Sequence, residues 1–231
     1  MCEILAVRWS TPTPFRTVMP WAGKIEYYGL GNFGWGVAWL EEGRVRRYRY
    51  QGRLSEDTAA GKELADVAST HYLVHFRRPN RLSTTQLADT QPFLAERGRF
   101  AFCHNGSFTR EPEFRGQFAG RLKGKADSEV GFRMFEQILG QGVGAEAALV
   151  RTHQQLLGNA NLGYLGSDGE LVVFNAYPNN RFHRFRTDGA EVAATELHSP
   201  DDSLFELVFP AATERQVISG TEVLAQPEAA R

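Results

Sequence analysis

Two consecutive helical patterns, set between blocks of strand-like sequence, restrict the folds open to this chain more than any other feature. Between Asp127 and Leu139, the apolar residues Val130, Phe132, Met134, Phe135, Ile138 and Leu139 follow a helical period. Ala145 to Leu157 reads as a second helix. Ahead of the pair, Cys2–Trp9, Val37–Leu40, Val45–Tyr50, His71–Phe76 and Arg99–His104 read as strands, with a hairpin turn at Glu42-Gly43. From Leu162 the sequence returns to short strands, punctuated by Ser167-Asp168-Gly169 and Thr187-Asp188-Gly189. Thr11–Pro14 predicts a loop. Ser55 predicts the start of a helix with Ala59, Leu64, Val67 and Ala68 on one face, and Ala225–Arg231 predicts a frayed tail. Strands, two helices and strands again fit an α+β layered fold.

Bulk properties narrow the function classes. A chain of 231 residues is long enough for one sizeable core, and a single domain over residues 1–231 is expected. A net charge of −1 gives no electrostatic case for nucleic acid or an anionic membrane as partner. The two cysteines, Cys2 and Cys103, do not suggest a disulfide scaffold, and the start lacks a signal peptide's basic and apolar regions. A cytoplasmic protein is expected. Arg44–Tyr50 alternates basic and aromatic residues, as a solvated strand face would. His71, His75, Cys103 and His104 lack metal-ligand spacing, and the glycines of Gly29–Gly36 lack the Lys-Ser/Thr of a phosphate loop. No metal and no cofactor is expected.

Four features carry chemistry. Removal of Met1 would leave the Cys2 thiol on the first residue, beside an α-amine able to take its proton. Arg77 follows a buried strand, where a guanidinium can grip a carboxylate. Asn105-Gly106 follows Phe100–His104, where a side-chain amide and a backbone N–H can face one oxyanion. Asp127 opens a helix, able to hold an ammonium or to cap the helix. Each has an ordinary alternative: core packing for Cys2, a surface position for Arg77, a plain turn for Asn105-Gly106, a cap for Asp127.

In this order, Met1-Cys2, His75-Phe76-Arg77, His104-Asn105-Gly106 and Asp127-Ser128-Glu129 resemble the class II glutamine amidotransferases, a family of N-terminal-nucleophile domains. The closer resemblance is to stand-alone members that begin Met-Cys-Glu, and it runs over roughly Cys2 to Leu224, including Ser167-Asp168-Gly169 and its apolar continuation. It implies a four-layer αββα sandwich of the N-terminal-nucleophile hydrolase type. It also implies a division of labour: Cys2 as nucleophile with its own α-amine as base, and Asn105 and Gly106 as oxyanion hole. Arg77 would hold the substrate α-carboxylate and Asp127 the α-ammonium. The expected substrate is glutamine or a γ-glutamyl compound, cleaved through a thioester, with an ammonia-accepting synthase as candidate partner. The alternative is a non-catalytic or partner-dependent subunit that binds a synthase. Three positions depart from the family pattern: Gln91 in Thr90-Gln91-Pro92-Phe93 where relatives carry histidine, Arg78 where synthase relatives carry an aromatic, and Cys103 where a small residue is usual. Gln91 keeps hydrogen bonding without a titratable group, which points to an altered substrate preference, and Cys103 is expected to pack in its strand.

Overall fold

The computed structural model describes residues 2–29, 31–199 and 201–225. In chain order it contains β1 (Glu3–Pro14), α1 (Met19–Tyr28), β2 (Trp35–Glu41), β3 (Arg44–Tyr50), α2 (Ala60–Glu63), β4 (Ala68–Phe76), β5 (Phe93–Leu94) and β6 (Phe100–Phe108). There follow α3 (Glu111–Arg115), α4 (Asp127–Leu139), α5 (Ala145–Leu156), β7 (Gly158–Gly166) and β8 (Leu171–Ala176). The chain continues through β9 (Phe182–Thr187), β10 (Ala190–Thr195), α6 (Asp202–Val208), β11 (Thr213–Val217) and β12 (Gly220–Val223). The strands form two antiparallel sheets, ordered β11-β9-β10-β1-β4-β2-β3 and β12-β8-β7-β6-β5.

Strand alternation explains the layering. On β1, Leu5, Val7 and Trp9 point to one face, joined by Tyr72, Val74 and Phe76 of β4, and α1 and α6 cover them with Trp21, Ile25, Phe205 and Val208. The other face of β1 carries Ile4 and Ala6. With Leu73, Ala101, Cys103 and Ala193 they fill the space between the sheets. The outer face of the second sheet, including Phe100, Phe102, Leu162 and Tyr164, packs against α4 and α5 through Val130, Phe135, Ala148 and Leu149. Three apolar layers separated by two sheets make a four-layer αββα sandwich. The middle layer mixes the small Ala6, Ala38, Ala101, Cys103 and Ala193 with larger aliphatic side chains and Phe182. A Cβ on Gly163 of β7 would come within 2.9 Å of the Leu73 side chain across the gap. Cys103 packs in this middle layer, fully buried, as its strand position predicts.

Several local expectations are corrected. Thr11–Pro14 is not a loop. β1 continues through it after a register shift between Arg8 and Thr13, and the irregularity absorbs the prolines. The helix expected from Ser55 shrinks to α2, because Val67 and Ala68 turn into β4. The Asp57 carboxylate there accepts hydrogen bonds from Trp35 Nε1, Tyr48 Oη and the Ala60 amide instead of sitting in a regular first turn. α1 was not legible, since its sequence shows little apolar periodicity. The turns at Glu42-Gly43 and Asp188-Gly189 form with both residues at positive φ, the hairpin geometry that glycine favours. Residues 226–231 of the predicted tail lie outside the described residues. Among the described residues, no helix is long and apolar enough to cross a membrane.

Candidate active site

Parity brings the chemistry together. Cys2 precedes β1 in phase with Ile4 and Ala6, Arg77 follows β4 in phase with Leu73, and Asn105 lies on β6 in phase with Cys103. All three therefore face the space between the sheets. Because β1 and β4 are antiparallel, with Glu3 opposite Phe76, the start of one and the end of the other meet at the same edge. The apolar filling gives way there to a cavity of about 420 Å³ lined by Cys2, Arg77, His104, Gly106 and Asp127, among others.

Asn105-Gly106 departs from its sequence reading. It is not a turn. β6 runs through it to Phe108, with Asn105 opposite Asn161 and Gly106 opposite Ala160. Gly106 holds φ at 142°, and a Cβ there would meet the Asn159 carbonyl oxygen at 1.9 Å. Only glycine keeps the strand paired at that point. Asn105 is fully buried, and its Oδ1 accepts a hydrogen bond from the Cys2 backbone N–H at 2.8 Å. An N–H can only donate, so the amide orientation is fixed and Nδ2 is turned elsewhere, buried and without a partner.

The Cys2 thiol lies against the backbone of Arg78, 3.3 Å from its N–H and 3.5 Å from its carbonyl oxygen. Arg77, only 3% exposed, donates to the carbonyls of Asp89 (2.8 Å) and Thr84 (3.0 Å) and to Thr84 Oγ1 (2.8 Å), while its Nε has no partner. Asp127 stands in the first turn of α4 rather than capping it, since the cap position is Ala126. Its Oδ2 accepts the Phe108 N–H at 2.9 Å, leaving it beside the cavity at a helix N-terminus that favours negative charge.

Two histidines near the cavity, His75 and His104, are held neutral by burial. His104 stacks on Phe108 with ring centroids 3.9 Å apart, pairs its Nδ1 with Ser128 Oγ at 2.9 Å, and is pushed down to about 4 by burial. His75, fully buried, is lowered well below its ordinary range by burial and then by Arg77. Gln91 does not face the cavity, contrary to the expectation that it tunes substrate preference. Its buried amide closes on the His104 backbone, accepting from N at 2.6 Å and donating to O at 3.0 Å, and so anchors β6.

Two supports were not found from sequence. Asp89 is fully buried, and its Oδ1 accepts the Lys125 and Ala126 amides at 2.7 Å each, just ahead of Asp127. Its carbonyl receives Arg77, so one residue sets the arginine relative to the start of α4. A Cβ on Gly124 would fall 2.1 Å from that carboxylate. The second support lies behind Cys2. Asn180 Nδ2 is 3.4 Å from both the Cys2 carbonyl and Glu3 Oε2, and 2.9 Å from His198 Nε2. Burial raises Glu3 to about 7 against the pull of its Thr195 and Asn180 hydrogen bonds, and burial lowers His198 to about 4. The 3.6 Å approach of Glu3 and His198 is therefore not an ion pair at pH values between these two. No sequence motif marks either support, because each depends on residues brought together from distant strands and loops.

Comparison with known proteins places the chain in a family. The family described as "Glutamine amidotransferases class-II" matches residues 1–221. A glutamine–fructose-6-phosphate aminotransferase (isomerizing) of Bacillus licheniformis is 26% identical over 159 residues, covering 66% of this chain and 25% of the relative. Its counterpart from Shouchella clausii is 25% identical over 153 residues, covering 65% and 25%. The match thus spans about a quarter of each relative's length. In fold, the chain is similar to a glutamine phosphoribosylpyrophosphate amidotransferase from B. subtilis (TM-score 0.70, 17% identity, 96% of this chain and 48% of that one). It is also similar to a glutamine aminotransferase class-II domain protein from Silicibacter pomeroyi (TM-score 0.60, 20% identity, 84% and 89%). A predicted glutamine amidotransferase from Pseudomonas aeruginosa aligns over its whole length (TM-score 0.54, 19% identity, 97% and 100%). By a family match over residues 1–221, with a fold to agree, this chain belongs to the class II glutamine amidotransferases.

Proposed function

We propose that the protein hydrolyses the side-chain amide of glutamine or a γ-glutamyl compound, with Cys2 as nucleophile. The observation that carries this reading is the Cys2–Asn105 contact. One end of the asparagine amide holds the Cys2 nitrogen, and the other is a buried donor with no partner. A donor desolvated in advance stabilises a tetrahedral oxyanion without first giving up another hydrogen bond. The Gly106 N–H is the second donor in this assignment. Arg77 receives the substrate α-carboxylate and Asp127 its α-ammonium, one fixed cation and one fixed anion on the walls of the same cavity.

The base is the α-amine of Cys2 after removal of Met1. The neighbouring histidine favours this assignment, because a ring held near 4 is a weak acceptor for a thiol proton and His104 directs Nδ1 to Ser128. The thiolate attacks the amide carbon, the oxyanion collapses to a γ-glutamyl thioester as the amine leaves, and water releases glutamate. A cavity of about 420 Å³ exceeds the needs of glutamine alone and leaves room for a substituent on the γ-amide. Arg78, Arg81 and Lys125 on the same wall would favour an anionic one. Transfer of the ammonia to a synthase partner remains the second reading, suggested by the names of the relatives. Incubation with a panel of γ-glutamyl amides, with glutamate and the released amine as readouts, tests the proposal. Turnover by wild type and none by Cys2→Ala supports it; equal turnover by the variant contradicts it.

A further inference from the structure

Outside the Cys2 cavity, the inner face of β3 changes character. Val45 fills the layer between the sheets, but Arg47 and Arg49, next on the same face, put two guanidinium groups at its margin. The solvated strand face expected for Arg44–Tyr50 is thereby corrected for these two. Each turns inward to a carbonyl of the Thr90–Pro92 segment, Arg47 to Pro92 at 3.2 Å and Arg49 to Thr90 at 2.6 Å. Opposite them stand Lys123 and Arg133, and the four cations surround a cavity of about 80 Å³ floored by Phe93 and Phe132.

The protein balances only part of the charge there, Glu129 acting on Arg49 and Glu136 on Arg133. Glu129 is the one carboxylate lining the cavity among the described residues, and both of its oxygens accept the Lys123 and Gly124 amides at 2.7–3.0 Å. Arg133 reaches Glu136, which Arg99 and Arg121 already share, and its Nε is buried without a partner. Burial and the neighbouring Arg49 lower Arg47 to about 10, as expected for a cation held without a counter-charge. Among the described residues Arg47 and Arg49 form no ion pair, Glu129 being the one carboxylate beside them in the cavity, and an anion between the cations would offset the cost of holding these two guanidinium groups together.

We propose that this cavity binds a phosphate-class oxyanion. The volume suits one tetrahedral group and excludes a buried nucleoside or peptide, so anything attached to that group would lie in solvent. Guanidinium groups supply paired donors to such an anion, and Lys123, exposed at the rim, supplies a point charge. The occupant would sit behind the segment whose Gln91 clamps the His104 backbone.

The test is calorimetric titration of the full chain with inorganic phosphate at low ionic strength. A hexose 6-phosphate forms a second arm and sodium chloride a control. Saturable one-to-one binding in the millimolar range or tighter is expected, weakened about tenfold in Arg47→Gln and in Lys123→Gln, the loss of one charge-assisted contact. Lys123 is exposed, so its variant reads binding without a folding defect. Tighter binding of the hexose phosphate identifies a phosphomonoester as the source, and equal binding identifies free phosphate. No saturation by either, an equal response to chloride, or unchanged affinity in both variants overturns the proposal. Glutamine hydrolysis is not the readout, so this result and that of the proposed activity fail independently.

Discussion

Replacement of Asn105 separates the oxyanion donor from ordinary core packing. Asn105→Ala removes the buried Nδ2 donor and also the Oδ1 acceptor that holds the Cys2 nitrogen at 2.8 Å. Loss of one oxyanion-hole donor costs about 10²–10³ in kcat, or about 2.7–4 kcal/mol of transition-state stabilisation. Loss of the Cys2 anchor adds about 1 kcal/mol in positioning. Asn105→Asp keeps an acceptor for the Cys2 N–H but offers no donor and sets a carboxylate against the developing negative charge. Its kcat should fall at least as far. KM should change by less than about threefold in Asn105→Ala, because the interaction is made in the transition state and not with the bound amide. The assay is steady-state glutamate release from glutamine or the best γ-glutamyl amide, with melting temperature recorded to confirm folding. A kcat within about threefold of wild type in Asn105→Ala, or a loss confined to KM, would refute the reasoning.

Other expectations follow from single residues. Gly106→Ala should destabilise the protein by more than about 3 kcal/mol in urea unfolding, since its Cβ would meet the Asn159 carbonyl at 1.9 Å at a φ of 142°; a change under about 1 kcal/mol contradicts the strand geometry. Asp89→Ala should raise KM about tenfold and lower the melting temperature, whereas Asp89→Asn, which keeps Oδ1 for the Lys125 and Ala126 amides, should stay near wild type; equal KM in the two variants would remove Asp89 from the site's support. The pH dependence of stability provides a signed test. Glu3, raised from 4.5 to about 7, stays protonated in the fold while the unfolded chain ionises, so its contribution is lost as pH rises through that window, by about 3 kcal/mol in all. His104, lowered from 6.5 to about 4, acts in the opposite sense, its contribution being lost as pH falls through that range. The difference between Glu3→Gln and wild type isolates the carboxylate. The variant should gain stability relative to wild type between pH 4.5 and 7.5, and a constant difference would show that Glu3 is not neutral in the fold.

The layered fold was readable because helices α4 and α5 and the buried strands carry strong periodicity, and the hairpins carry turn residues with one backbone solution. Motif order picked out Cys2, Arg77, Gly106 and Asp127, which the fold places around one cavity, and Asn105, which lies buried against Cys2 rather than in the cavity lining; strand parity was legible in those short runs, the antiparallel pairing of β1 with β4 was not. What escaped was non-local. Asn-Gly reads as a turn from propensity alone, yet pairing with β7 and the contact over Gly106 hold it in a strand. Asp89, Asn180 and His198 act through atoms supplied by segments far away in sequence, which no spacing rule reports. The inward turn of Arg47 and Arg49 depends on where the second sheet stops, a property of neither residue.

The central claim, that Cys2 is the attacking thiol, is tested most directly by acid-quenching the active protein with its γ-glutamyl substrate and mapping the adduct by mass spectrometry. The account predicts a γ-glutamyl thioester on Cys2 in a peptide that begins at Cys2, with none on Cys103, which is fully buried between the sheets. An adduct elsewhere, or full activity in protein that retains Met1, would contradict it.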